Sequence, residues 1–298
     1  MTREIIPDPA DRKLFIVEDT YYNGKIRLNG KSLTPDPYYK GQGDFKWYYL
    51  NGGLRETATY ENGKISGERV GYYLNGNKQF IYVYDNATLL SSSQFFPNGK
   101  PYYTAVFDTA KKLDIVGDAY DLAGNATAVN GNGSWVNYAD TFKRIFSKGP
   151  IVNGIKDGEW KGKLTDTLTT FVCIYNKGIL VSGTTYEESG KVIHFTKEEI
   201  EPSPKGGLEL FYKQLAAHVK YPKKAKEDNI QGKGFLSFTI GKDGELDNIK
   251  VAPGIGGGCD EATVEALKKT SQPWTPGSQY GLPVRVQYNL PLTFSLKE

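Results

Sequence analysis

Residues suited to redox or metal chemistry are scarce in this chain: its 298 residues include two cysteines, two histidines and one methionine. Cys173 and Cys259 are too few for a disulfide framework, and they fall in different proposed domains, so no pairing between them is predicted. His194 and His218 are far apart in sequence and give no metal-ligand spacing with each other or with the cysteines. No metal or organic cofactor is therefore expected. A membrane-spanning helix needs a run of about 18 apolar residues, and the sequence has none. The start, Met1-Thr2-Arg3-Glu4-Ile5-Ile6-Pro7, lacks the apolar centre of a signal peptide. That leaves two locations open: the cytosol, or the cell envelope after removal of a targeting segment. A surplus of one charge sign is missing too. The net charge of +3, from 37 basic and 34 acidic residues, is too small to imply a nucleic-acid partner.

Glycine (34), tyrosine (21) and phenylalanine (14) are plentiful. Aromatic residues suit pleated, half-buried surfaces and glycine suits turns, so the composition predicts many short strands. An aromatic-x-Asn-Gly pattern recurs at Tyr49-Leu50-Asn51-Gly52, Tyr60-Glu61-Asn62-Gly63, Tyr73-Leu74-Asn75-Gly76 and Phe96-Pro97-Asn98-Gly99. Weaker copies stand at Tyr84-Asp85-Asn86-Ala87, Phe107-Asp108-Thr109-Ala110 and Tyr120-Asp121-Leu122-Ala123-Gly124. Turns thus recur about every 12 residues and the full unit about every 24. Gly133-Ser134-Trp135 and Gly158-Glu159-Trp160 keep the phase further on. Asn-Gly accommodates the positive-φ positions of tight hairpins, so each unit reads as one hairpin. Phe80, Tyr82 and Tyr84 are predicted on one face, with Ile81 and Val83 on the other. Lone hairpins are marginal, so neighbouring units must pair into one long sheet. The rings of Trp47, Tyr48, Tyr49, Tyr72 and Tyr73 are expected mainly to pack on one another, and no residue of that surface can be assigned to a ligand.

These residues resemble MORN-type repeats of the bacterial variant, with Tyr60-Glu61-Asn62-Gly63-Lys64 and Asp157-Gly158-Glu159-Trp160 carrying the match best. The resemblance runs over about 21–191 and weakens between 105 and 152. It implies a meandering antiparallel sheet that serves as a binding or spacing platform, with no particular ligand. Residues 1–20 read as an N-terminal extension, 21–199 as the repeat domain and 200–206, rich in Pro and Gly, as a linker.

From residue 207 to 298 the period becomes helical and then returns to strands. Leu208, Phe211, Leu215 and Val219 form one apolar stripe, and Tyr221-Pro222 ends that helix or kinks it. Leu236, Phe238 and Ile240 share a strand face before the turn Lys242-Asp243-Gly244, and 245–252 return as a second strand. Asp260 reads as the cap of a second helix with Val264 and Leu267 inward, and the run 273–277 stops it. A final strand presents Val284, Val286, Tyr288, Leu290, Leu292 and Phe294 on one face, with Arg285, Gln287, Asn289 and Thr293 on the other. The fold class is therefore mainly β plus α+β: a hairpin-repeat sheet followed by a small two-helix, three-strand α+β domain.

The C-terminal segment resembles the C-terminal domain of TonB, in the version found in Bacteroidetes-like bacteria. The match rests on Gly206-Gly207, Tyr221-Pro222 with Ala225, Ile230-Gln231-Gly232, the strand-turn ending at Asp243-Gly244, Cys259-Asp260-Glu261-Ala262, Gly281-Leu282-Pro283-Val284 and Leu290-Pro291-Leu292-Thr293-Phe294. The resemblance implies a periplasmic or envelope location and a partner: an N-terminal peptide segment of an outer-membrane receptor, added as a strand along a sheet edge. The residues implied are Val284, Arg285, Val286, Gln287, Tyr288, Asn289, Leu290 and Thr293. Pro291 lacks a donor and so marks an edge strand or a bulge; a central strand with no free edge is the alternative. The family's membrane helix and long Pro-rich spacer are missing from the sequence, so coupling to energy transduction is implied by the resemblance alone. A competing reading is a repeat scaffold in which the C-terminal domain caps the sheet or forms a homodimer.

Catalysis is not predicted. Pro253-Gly254-Ile255-Gly256-Gly257-Gly258-Cys259 lies between a strand and a helix but fits no nucleotide signature, and Asp260 and Glu261 would repel an anion. Gly131-Asn132-Gly133-Ser134 is not a nucleophile elbow. Glu187-Glu188 and Glu198-Glu199 are sequence neighbours, which face opposite sides of a strand.

Overall fold

The computed structural model describes residues 2–36, 38–139, 142–164, 168–252, 254–270 and 273–296. The chain divides into two compact units. One comprises Met1–Thr167 with Ile174–Ile179, and the other Leu168–Cys173 with Leu180–Glu298.

In the first unit successive strands pair antiparallel in sequence order, from Thr2–Pro7 onward. Residues 1–20, read from sequence as an extension, hold the strands Thr2–Pro7 and Phe15–Thr20, which pair with each other from Thr2↔Thr20 to Pro7↔Phe15. The predicted ring face is present: Phe80 stacks on Tyr82 at 4.5 Å, and Tyr82 meets Tyr84 edge-on at 6.5 Å.

Two kinds of turn alternate. One kind has two residues, both at positive φ: Asn62-Gly63, Asn86-Ala87, Asn130-Gly131 and Asn153-Gly154. These are the tight hairpins for which Asn and Gly are suited. The turns at Tyr49-Leu50-Asn51-Gly52, Tyr73-Leu74-Asn75-Gly76 and Phe96-Pro97-Asn98-Gly99 differ from the sequence reading. Gly52, Gly76 and Gly99 alone are left-handed, and the loop closes through Tyr49 N–H to Gly53 O (2.8 Å) and Gly52 N–H to Tyr49 O (2.8 Å). Here Asn works through its side chain: Asn51 Oδ1 accepts the Gly53 amide at 2.9 Å.

The tyrosines of these turns also do more than stack. Tyr21, Tyr49 and Tyr73 each donate their hydroxyl to a carbonyl beside the next turn of the same kind: Tyr48 O (2.8 Å), Tyr72 O (2.6 Å) and Phe95 O (2.8 Å). Asn75 Nδ2 reaches Pro97 O and Asn98 Nδ2 reaches Leu122 O in the same way. A further recurring device sets a strand glycine under a neighbouring ring. A Cβ at Gly30 would enter the Phe45 ring, one at Gly71 the Phe80 ring and one at Gly149 the Trp160 ring. Glycine in a strand loses packing, and the ring laid on it restores that contact.

A buried carboxylate ties down the first strands. Asp19, 1% exposed, accepts two bonds from Arg3 (2.7 and 2.9 Å) and one from Arg27 (2.8 Å), while Arg3 lies over the Tyr39 ring. Hydrogen bonding to Arg3 holds the Asp19 carboxyl below the usual carboxylate range, against the opposing effect of burial.

From Gly207 on, the main elements of the second unit are helix Gly207–His218, short helix Lys223–Glu227, strands Gly232–Ile240 and Leu246–Ala252, helix Cys259–Thr270, and closing strand Val286–Phe294. The helix Lys223–Glu227 was not predicted. One core joins Phe211, Leu215, Leu236, Phe238, Ile240, Ala266, Leu267, Trp274 and Leu290. Leu208 departs from the predicted stripe: it is 41% exposed, because the helix turns Phe211 and Leu215 inward. Residues 200–206, read as a linker, are partly strand. Glu199–Ile200 pairs with Gly277–Gln279, and Ser203–Pro204 pairs with Trp274–Thr275. The predicted final strand is also broken. Leu282–Val284 pairs with Gly277–Gln279, and the closing strand starts only at Val286.

Candidate functional site: the free edge of the closing strand

The closing strand pairs with Gly232–Ile240 along its whole length, from Gly232↔Phe294 to Ile240↔Val286. That central strand takes Leu246–Ala252 on its other side, so the three-stranded sheet ends at the closing strand. Among the described residues no strand pairs with its outer side. An edge of this kind carries backbone donors and acceptors that an added chain can complete.

Side chains alternate as the two-residue period requires. Val286, Tyr288, Leu290, Leu292 and Phe294 face inward, with Leu290 and Phe294 buried; Gln287, Asn289, Pro291 and Thr293 are exposed. Tyr288 packs against Trp274 (5.1 Å) and Phe238 (5.7 Å), so its ring belongs to the core. Gln287 donates to Ser237 Oγ at 3.1 Å, and Arg285 makes an exposed ion pair with Asp247 at 3.0 Å. Of the eight residues singled out from sequence, Val286, Gln287, Tyr288, Asn289, Leu290 and Thr293 lie on the closing strand. Val284 lies on the preceding hairpin and Arg285 at the break between the two strands.

A groove that sequence reasoning missed lies along the far end of this strand. Its volume is about 270 Å³, and its lining includes Tyr212 and Ala216 of the first helix, Val219 just past its end, Thr263 of the last helix, and residues 291–294. Four consecutive closing-strand residues line it and no residue of the central strand does, which places the groove at the free edge. Tyr212 and Ala216 are exposed one turn apart, and Val219 follows at the helix end. The available signal was the apolar pair Tyr212 and Ala216, four residues apart and beside the stripe that faces the core.

The Gly-rich turn has a structural role. Asp260 accepts the Ile255 amide at 2.8 Å and the Gly256 amide at 3.2 Å, so its carboxylate occupies donors that a phosphate would need. Pro253 of that motif lies outside the described residues. Cys173 and Cys259 are both buried thiols outside any disulfide, and burial raises the Cys259 thiol above its usual value. Among the described residues no group of three or more His, Cys, Asp or Glu could hold a metal ion, and no helix is long and apolar enough to cross a membrane.

No curated protein matches the chain. Among solved structures, the solution structure of Helicobacter pylori TonB-CTD (residues 179–285) is similar at 28% identity and a TM-score of 0.24, covering 30% of this chain and 81% of that one. Residues 217–296 match the family described as Gram-negative bacterial TonB protein C-terminal, and they include the whole closing strand; the C-terminal part of this chain is thus a TonB C-terminal-like domain.

Proposed function

We propose that this chain is a non-enzymatic cell-envelope protein whose closing strand accepts the N-terminal peptide segment of an outer-membrane receptor as an added strand. One observation carries the reading: the outer side of Val286–Phe294, with which no strand pairs among the described residues, runs beside an apolar groove walled by the first helix. Backbone pairing would supply affinity, and alternate side chains entering the groove would supply selection. Pro291 supports this orientation, since its missing amide proton costs the sheet nothing if it faces outward. By the two-residue period, the amides of Gln287, Asn289 and Thr293 then face outward as well.

In this reading the repeat array is a MORN-type spacer or docking platform, stiffened by the bonds between successive turns. Coupling to energy transduction is proposed on the strength of the family match alone. The test is a titration of the isotope-labelled chain with synthetic peptides spanning N-terminal segments of outer-membrane receptors. Saturable amide shifts concentrated at 286–294 and at the groove are expected. Shifts elsewhere, none at all, or an edge already paired within a homodimer would defeat the reading.

A further inference from the structure

The hairpin that leads into the closing strand turns through Tyr280-Gly281, with φ of 50° and 79°. This is the two-residue turn used repeatedly in the first unit, yet a tyrosine stands where Asn usually does. A bulky residue at positive φ persists only where its surroundings fix it.

Those surroundings are unusually complete. The Tyr280 ring stacks on Phe171 (centroids 4.0 Å, 17° between planes) and meets Phe195 edge-on at 5.9 Å. Its carbonyl accepts from Thr185 Oγ1 at 2.6 Å, its amide donates to Glu198 O at 2.6 Å, and its hydroxyl lies 3.1 Å from the Glu198 carboxylate. A Cβ at Gly281 would lie 2.9 Å from Ile193, so the turn sits hard against the strand Val192–Phe195. Phe171, Thr185, Ile193, Phe195 and Glu198 all precede the segment 217–296 that matches the TonB family. Only Arg285 separates the hairpin strand Leu282–Val284 from the closing strand.

We infer that Tyr280 is a positioning residue for peptide recognition: it clamps the start of the closing strand onto the hairpin Ile179–Tyr186/Val192–Phe195, so that recognition depends on residues outside the family segment. This rests on the reading that the closing strand accepts a peptide. The clamp removes freedom from the edge before a partner arrives, and such preorganisation lowers the cost of binding.

The test uses the full chain and three variants. Tyr280→Asn keeps a residue that tolerates positive φ, so the turn survives while the ring is lost. Tyr280→Phe keeps the ring, and Thr185→Ala removes a single hydrogen bond. Amide hydrogen exchange without peptide is read first, then affinity for the best-binding synthetic receptor peptide. Tyr280→Asn should speed exchange of the protected amides among 286–290 at least about tenfold and weaken the peptide at least about fivefold. Exchange in the helix Cys259–Thr270 should stay within about twofold, and Tyr280→Phe and Thr185→Ala, which each lose one hydrogen bond and keep the ring, should fall between wild type and Tyr280→Asn. Unchanged exchange at 286–290 in Tyr280→Asn would overturn the inference, as would an equal rise throughout the unit. If the wild-type chain binds no peptide, the edge-addition reading fails. The ligand-free exchange still decides whether Tyr280 fixes the strand.

Discussion

The repeat array and the C-terminal domain solve the same problem in opposite ways. The domain concentrates its stability: Phe211, Leu215, Leu236, Phe238, Leu267, Trp274 and Leu290 meet in one core fed by two helices and a three-stranded sheet. The array distributes its stability over devices repeated from turn to turn, namely a positive-φ turn, a tyrosine hydroxyl reaching the next turn and a ring laid on a strand glycine. A concentrated core fails as a whole when one member is lost, whereas a distributed array fails locally. The difference suits the proposed division of labour, with a spacer that tolerates local change and a binding edge that needs a fixed frame.

Four substitutions sharpen or break this contrast, from the largest effect to the smallest. Leu267→Ala empties a fully buried position in the domain core and should cost about 4 kcal/mol. Hydrogen exchange should show the helices and the closing strand losing protection together; loss confined to the helix Cys259–Thr270 would argue against a single cooperative core. Gly71→Val drives a side chain into the Phe80 ring and should cost about 2–3 kcal/mol. Protection should fall in the strands Lys64–Tyr72 and Lys78–Asp85 and their neighbours, while the strand Arg144–Val152 keeps its own.

Asp19→Asn leaves Arg3 and Arg27 without their carboxylate and should cost about 2 kcal/mol at neutral pH, less than a fully buried pair because both guanidiniums are partly exposed. The folded Asp19 carboxyl is lowered, so its contribution holds above the ordinary carboxylate pKa and is lost as pH falls through the lowered folded value. Urea midpoints of wild type and Asp19→Asn should therefore converge below about pH 4. A gap that stays constant into strong acid would contradict the assigned role. Tyr73→Phe removes only the hydroxyl that reaches Phe95 O and should cost about 1 kcal/mol, seen as faster exchange around the turns at 73–77 and 96–100.

Much of this architecture was legible because its determinants are local. Asn-Gly pairs marked turns, alternation at 80–84 marked a strand, and the helical stripe with its inward Phe211 and Leu215 marked the first helix of the domain. What escaped was non-local or too short to show a period. The hydroxyl of Tyr49 finds its acceptor 23 residues away, and nothing near Tyr49 announces that bond. The two-residue strands Glu199–Ile200 and Ser203–Pro204 fall below any periodic signal, so the segment read as a linker. Arg285 continued an alternating pattern in sequence, yet the chain passes there from one sheet to another. The apolar face of the closing strand was legible from its alternation. The groove at its edge was not, since it needs Tyr212 and Ala216 brought beside residues 291–294 by tertiary packing.

The most direct test of backbone recognition uses one receptor-derived peptide made in two forms, with N-methyl groups on one or the other alternate set of amides. Blocking the set that faces Val286–Phe294 should abolish binding to the full chain, while blocking the opposite set should leave it within about threefold. Equal binding by both forms would contradict strand addition at this edge.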